Sequence, residues 1–292
     1  MKVTYWGTRG STPAPSVRSR GFYTDRYGGN TSCVEISVPG TQLILDAGTG
    51  IRELGAYMAG NGIKAANILL SHSHWDHIQG FPFFVPGYLP GNWLRVFGQE
   101  KDFLVMRRVE PTTKQTFEHQ QVQPYFPVPL ESMNAQMEFN DVLPGDSFDL
   151  DGVRITTREL NHPNGYLGFR LEHNGKIVAY ASDNEPDGRE LTDNLIELAR
   201  GADLFIQDAQ YTPEEYAGKK GWGHSTYEHA IDSAVKAGAK KLALFHHEPV
   251  HDDRQLDAIL KRAHDYLPKA LDLYKGSGLE IAMAEEGASE PV

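Results

Sequence analysis

The sequence predicts an α/β protein with two separate groups of β-strands. Three observations predict it. Short apolar runs bounded by Gly, Pro and Asn turns recur along the 292 residues, and stretches with apolar residues at helical spacing fall among them. A Pro- and aromatic-rich stretch then parts the early strands from the late ones. The length is near the upper size of one α/β domain, and no internal repeat or linker divides it, so a single domain over 1–292 is expected.

The first strands are expected at Lys2 to Trp6, Ser32 to Val38 and Gln42 to Asp46, with Pro39-Gly40 as a tight turn between the last two, an antiparallel start. Ile51, Leu54, Tyr57 and Met58 place a helix over Thr49 to Met58, ended by Asn61-Gly62. The apolar run Ile68 to Leu70 leads directly into SHSHWDH. Residues 81–147, with FPFFVPGYLP and QPYFPVP, read as irregular loops over a site, around a short strand at Leu94 to Phe97 and a helix near 100–109. A second sheet is expected from Val153 to Leu160, Tyr166 to Glu172, Lys176 to Ser182 and Leu204 to Asp208, with Asn174-Gly175 as a hairpin turn. Ser225 with Glu228 reads as a capping box, Leu242 to Phe245 as a buried strand, and Leu256, Ile259, Leu260, Ala263 and Leu267 as the apolar stripe of a helix. The small, acidic tail EEGASEPV is expected to fray.

Composition removes several classes. With 40% hydrophobic and 23% charged residues, and Gly and Pro spread along the chain, disorder, collagen and coiled coil are excluded. No apolar run approaches the ~20 residues of a membrane helix, and MKVTYWG is not a secretory start, so a cytoplasmic protein is expected. The single cysteine, Cys33, permits neither a disulfide nor a thiolate metal site, so any metal must be held by His and carboxylate. The formal charge of -11 disfavours wrapping long duplex nucleic acid.

The segment Ser71-His72-Ser73-His74-Trp75-Asp76-His77 concentrates four candidate ligands directly after a strand. Alternation at a strand end puts His72 and His74 on one side, and a turn then presents Asp76 and His77 from a new direction. Four ligands in one loop cannot fill two coordination shells. Further candidates stand at other strand ends: His162 before Pro163, Asp183 after Ser182, and His246 after Phe245. Taken alone, these three read equally as a turn residue, a helix cap and a surface histidine. His247 and His251 compete with His246, which is favoured because it follows the strand directly.

On these residues the chain resembles metallo-β-lactamase-fold hydrolases over almost its whole length: H-x-H-x-D-H, the later His, the strand-ending Asp and the last His occur in that family's order, and LILDAGTG matches its strand-Asp-x-Gly turn. The resemblance implies a four-layer αββα sandwich of two mixed β-sheets. It also implies that His72, His74 and His162 hold one divalent ion, that Asp76, His77 and His246 hold another, that Asp183 bridges them, and that Asp46 orients a ligand. Zinc or manganese suits such donors, and iron is possible. Flavodiiron members carry Glu where this chain has His74, which disfavours redox chemistry.

Trp222-Gly223-His224-Ser225-Thr226, with Asp208 in QDAQY, resembles the histidine and acidic partner of ribonuclease Z and of related small phosphodiesterases. The implied activity is hydrolysis of a small phosphodiester, a cyclic nucleotide or short dinucleotide, with His224, Asp208 and Asp76 as catalytic residues. Ester, thioester or lactone hydrolysis on the same fold is the alternative, followed by a ribonuclease or a non-catalytic nucleotide-binding module. The long arm that bacterial ribonuclease Z inserts between the later His and the bridging Asp has no counterpart in the twenty residues between His162 and Asp183. Relatives pair as dimers, so a homodimer is possible.

Arg9, Arg18, Arg20 and Arg26 could meet a phosphate or base, although a solvated loop is the plainer reading. Phe83, Phe84, Tyr88, Tyr125 and Phe126 could stack on a base or simply pack the irregular segment, while His119, His173, His229 and His264 have no motif behind them.

Overall fold

The computed structural model describes residues 1–99, 112–187 and 190–292; the helix expected near 100–109 lies outside the described residues. Sheet one contains β1 (Lys2–Gly7), β2 (Cys33–Val38), β3 (Thr41–Leu45), β4 (Ala65–Leu69), β5 (Trp93–Gln99) and β6 (Gln136–Val142). Sheet two contains β7 (Ser147–Leu150), β8 (Val153–Glu159), β9 (Leu167–His173), β10 (Lys176–Ala181), β11 (Leu204–Asp208), β12 (Lys241–Phe245) and β13 (Glu280–Met283). The last strand, β14 (Ser289–Pro291), returns to sheet one, giving the orders β14-β1-β2-β3-β4-β5-β6 and β13-β12-β11-β10-β9-β8-β7. Both sheets are mixed: β1 to β3 and β7 to β10 pair antiparallel, whereas β3 to β6 and β10 to β13 pair parallel.

The helices are α1 (Ile51–Gly60), α2 (Trp75–Ile78), α3 (Thr113–Gln120), α4 (Glu190–Ala199), α5 (Pro213–Tyr216), α6 (Tyr227–Ala237) and α7 (Asp253–Tyr274). Strand alternation sorts side chains into three apolar layers. Along β12, Ala243 and Phe245 face the inter-sheet core with Val34, Leu43 and Phe169, while Leu242 and Leu244 face the helices α4, α6 and α7. Along β3, Leu43 and Leu45 point between the sheets, and Ile44 points outward to Ile51, Leu54 and Met58 of α1. Such strands are buried on both faces, which is why they read as continuous apolar runs. The result is helix, sheet, sheet, helix: the expected αββα sandwich.

Four expectations are corrected. Among its described residues, the stretch 81–147 is largely regular, because β5, α3 and β6 complete the edge of sheet one; Met137 and Phe139 alternate on β6 and pack against the outer core. The cap of α6 is Thr226 with His229, one residue beyond the Ser225–Glu228 pair, because Ser225 is drawn away to the Asn184 carbonyl. The tail does not fray, since Ser289, Glu290 and Pro291 pair with Thr4, Val3 and Lys2. Arg9 is not in a solvated loop: it is fully buried and donates to the carbonyls of Gly28, Glu248 and His251, tying the first loop to the segment after β12.

Candidate active site

The C-terminal ends of β3, β4, β10, β11 and β12, with the loop after β8, deliver Asp46, His72, Asp183, Asp208, His246 and His162 to one rim of the sandwich. Ligand sites in sheets with parallel strands form at such carboxyl ends, where backbone and side chains emerge from the core together. A cavity of about 510 Å³ opens there, lined by Ser11, Ser73, His74, Trp75, Asp76, Asp183 and His224.

Two groups of donors meet at Asp183. His72, His74 and His162 form one, and Asp76, His77 and His246 the other. Asp183 Oδ2 lies 3.9 Å from His72 Nε2 and 3.8 Å from His162 Nε2, whereas Oδ1 lies 3.1 Å from His77 Nε2 and 3.4 Å from His246 Nε2. One carboxylate therefore faces both groups. Asp76 Oδ2 stands 3.2 Å from His77 Nε2 and 3.1 Å from His246 Nε2.

Four of the five imidazoles are aimed from behind. His77 Nδ1 meets Asp46 at 2.8 Å, His162 Nδ1 donates to the Gly223 carbonyl at 2.9 Å, His246 Nδ1 meets Gln210 Oε1 at 3.0 Å, and His72 Nδ1 meets Ser71 Oγ at 3.0 Å. These contacts leave the four Nε2 atoms turned inward, the tautomer arrangement that a metal site requires. Asp46 is itself fixed by the Ser71 N–H, the Ser71 hydroxyl and the Tyr180 hydroxyl at 2.7, 2.9 and 2.8 Å, and Tyr180 belongs to the opposite sheet.

The donor set fits a divalent cation on one observation. His72 Nε2, His77 Nε2 and Asp183 Oδ1 are buried and make no well-formed hydrogen bond, although His77 Nε2 and Asp183 Oδ1 stand 3.1 Å apart. Buried polar atoms left in this way are costly unless positive charge lies among them. The electrostatics agree: although burial opposes it, Asp183, Asp76 and Asp46 together hold the His77 proton affinity well above that of a free imidazole. Burial, only partly offset by Asp183, lowers His162 to about 4, which keeps it a neutral donor.

His224 borders both groups, with a ring nitrogen within 4.8 Å of donor atoms of His162 and Asp183 on one side and of Asp208 and His246 on the other. Its Nδ1 is 2.8 Å from Asp208 Oδ2 and 3.9 Å from Asp183 Oδ2, and its ring stacks on that of His246 with centroids 5.0 Å apart. Burial opposes protonation, but the charge and hydrogen bond of Asp208 outweigh it and raise His224 to about 9. Asp208 is completely buried and also accepts from the backbone of Gln210 and Ser225.

The neighbouring histidines turn elsewhere. His247 Nε2 donates to the Ala284 carbonyl, and His251 meets Glu215, so neither joins the cluster. Arg18 and Arg26 form surface ion pairs with Asp25 and with Asp257 and Glu285, and Arg20 is exposed. Phe84 is core, and the Tyr88 hydroxyl is bound to Pro82; Phe83, Tyr125 and Phe126 are not among the residues that line the cavity.

Sequence reasoning missed three contributors. Ser11 donates its backbone N–H to Asp76 at 2.7 Å, and Gln210 carries His246 on one end and Glu248 on the other. Glu185 accepts from the N–H groups of Gly221 and Gly223 and from the Tyr216 hydroxyl at 2.8, 2.8 and 2.6 Å, so it pins the loop that leads into His224. A carboxylate two residues beyond Asp183, with Gly on either side of Trp222, was the available signal. Gly223 is required: at φ +88° a Cβ there would stand 2.3 Å from His162 Nδ1. Three non-glycine residues around the rim, Ser11, Asp46 and His246, also hold left-handed backbones at φ 60°, 62° and 61°.

Residues 41–247 match the family described as beta-lactamase superfamily domain. The chain is 24% identical to a ribonuclease Z of Haloarcula marismortui, covering 100% of this chain and 97% of that protein, and 26% identical to a ribonuclease Z of Mycobacterium sp. (strain KMS), covering 94% and 93%. Among solved structures it is similar to the metallo-β-lactamase fold protein YhfI of Bacillus subtilis, with a TM-score of 0.68, 20% identity and coverage of 99% and 98%. A diphosphatase of the PhnP family is similar at a TM-score of 0.66 and 20% identity, covering 100% of this chain and 97% of that one. The short form of human tRNase Z also has a TM-score of 0.66, with 18% identity and coverage of 100% and 99%. With its strand-end His and Asp cluster and αββα sandwich, the chain belongs to the beta-lactamase superfamily domain family and is a metal-dependent hydrolase of the metallo-β-lactamase fold.

Proposed function

We propose that the protein is a dinuclear metal-dependent phosphodiesterase acting on a small phosphodiester, a cyclic nucleotide or a short dinucleotide. The observation that carries this reading is the His224–Asp208 pair, an imidazole on the cavity wall that Asp208 biases towards its protonated form, beside the carboxylate shared by both donor groups. His72, His74 and His162 would hold one divalent ion, Asp76, His77 and His246 the other, with Asp183 common to both; zinc or manganese suits these donors. When bound, such ions polarise phosphoryl oxygens and lower the pKa of water towards about 7.

The residues of the chain supply the rest. Asp46, Gln210 and the Gly223 carbonyl fix the ring orientations, so little reorganisation is needed when a substrate enters. As water adds to phosphorus and the ester P–O bond breaks, His224 gives its proton to the departing oxygen and is reprotonated from solvent through the cavity. Asp208 keeps that imidazole charged until then, and a positioned acid of this kind contributes ~10²- to 10⁴-fold. A carboxylic ester depends on it less, because its tetrahedral intermediate expels an alkoxide more readily than phosphorus does. The tight hairpin of β9 and β10 between His162 and Asp183, together with the charge of -11, favours a small substrate over a long polyanion. A second reading, cleavage of RNA, is favoured by the full-length similarity to proteins called ribonuclease Z.

The test is metal analysis of the purified protein combined with hydrolysis of 2′,3′-cyclic, 3′,5′-cyclic and linear diesters, carboxylic esters and a precursor tRNA. About two metals per chain and turnover of small diesters are expected. Preference for the tRNA would select the second reading, and preference for esters would overturn both.

A further inference from the structure

The group that departs with the ester oxygen must lie on the His224 side of phosphorus, because His224 protonates that oxygen in the reading above, on which this inference rests. Three features meet on that side. Trp222, two residues from His224, is 60% exposed. A lone exposed aromatic needs no explanation, but this one is held on a loop fixed at both shoulders: Gly221 and Gly223, each in a left-handed conformation, both donate to Glu185. The backbone that carries the ring is therefore fixed on both sides, and the ring is not packed into the core.

Lys219 is the second feature. Its ammonium lies 4.1 Å from the centre of the Tyr211 ring and 5.9 Å from that of Trp222, and the Tyr211 ring meets His224 edge-on at 5.8 Å. Aromatic rings and a cation thus continue outward from the proposed acid. The third feature is Glu248, 3.5 Å from the Lys219 ammonium and held on its other oxygen by Gln210. It partly neutralises Lys219, so the pair suits the mixed donors and acceptors of a polar heterocycle better than a full negative charge. Trp222 and Lys219 are not among the residues that line the cavity itself, so the patch lies outside it and joins it through His224, which does line it and meets the Tyr211 ring.

We infer that Trp222 and Lys219 form a leaving-group subsite that takes an aromatic heterocycle, stacked on Trp222 with its polar edge at Lys219 and Glu248, and so selects diesters whose departing alcohol is a nucleoside. Stacking of a base on an aromatic side chain is worth at least several-fold in binding and is tolerant of base identity.

The test compares kcat/KM of the metal-loaded enzyme on two diesters of one nucleotide, one releasing a nucleoside and one releasing methanol. Trp222→Ala should lower the nucleoside-to-methanol ratio about tenfold, mostly through KM, Trp222→Phe should restore most of it, and Lys219→Met should lower it about threefold. Equal losses on both diesters would mean that the loop is merely distorted and would overturn the inference. A second readout needs no turnover: adenosine should quench tryptophan emission saturably in the natural protein and not in Trp222→Phe. Quenching that survives in Trp222→Phe but is lost in Trp75→Phe would move the base to the other bank of the cavity and refute the assignment, as would no saturable quenching. If no diester is hydrolysed but the Trp222-dependent quenching remains, the phosphodiesterase reading fails and the subsite stands.

Discussion

The two halves of the His and Asp cluster are built differently. The His72, His74 and His162 half has three imidazoles and, among the described residues, one facing carboxylate oxygen, from Asp183. Burial lowers the proton affinity of His72 and His162 there. The Asp76, His77 and His246 half has Asp76 and Asp183 in front and Asp46 behind, and those carboxylates raise His77. The first half is a cradle made mainly of imidazole nitrogens and the second a buried pocket richer in carboxylates. Charge draws a cation more strongly in a buried site than neutral dipoles do, so the second half should bind its ion more tightly.

The largest expected effect comes from the residue common to both halves. Asp183→Ala should abolish turnover and lower metal content in both, read by elemental analysis beside activity. Full occupancy with normal rates would break the assignment. Next, His224→Ala should keep both metals yet lose ~10²- to 10⁴-fold on diesters with poor alkoxide leaving groups, and less on a nitrophenyl diester, because nitrophenolate departs without a proton. Asp208→Asn should follow more mildly. Losses equal on both leaving groups would place His224 outside proton transfer.

The asymmetry itself is tested by removal. A chelator should inactivate the enzyme, zinc or manganese should restore it, and the first metal should leave more readily than the second. His74→Ala should then retain about one metal per chain. Simultaneous loss of both ions would show that the halves are not independent. Asp46→Asn should cost about 10- to 100-fold in metal affinity or activity, concentrated in the second half, because it touches an imidazole rather than the ion.

The smallest effect lies just behind the cluster. Burial, helped by Arg9, lowers His247 to about 3, while an unfolded chain titrates near 6.5. Between those values the unfolded state binds a proton that the folded state refuses, so stability should fall as pH drops from about 6.5 towards 3. Denaturant titrations of His247→Gln should show a shallower fall over that window.

The strand-end ligands were legible because each stands within two residues of the end of an apolar run, and the core dictates where those runs stop. Asp208 and His224 were legible by resemblance and by their place beside a strand and a helix cap. Glu185, Gln210 and Ser11 were not, because their roles rest on contacts 36 to 65 residues or more away. The same distance hid β14: a short run containing Glu and Pro has no strand signal of its own, and its partner β1 stands at the other end of the chain.

The left-handed backbones of Ser11, Asp46 and His246 carry a thermal consequence. Each such residue costs roughly 1–2 kcal/mol, and all three border a rim crowded with buried ionisable groups. Without a cation this rim concentrates backbone strain and buried charge; with one, ligands from both sheets would be riveted together. Metal supply would then govern the lifetime of the protein in a warm cell as well as its catalytic rate, since whatever binds only the folded state shifts the melting equilibrium.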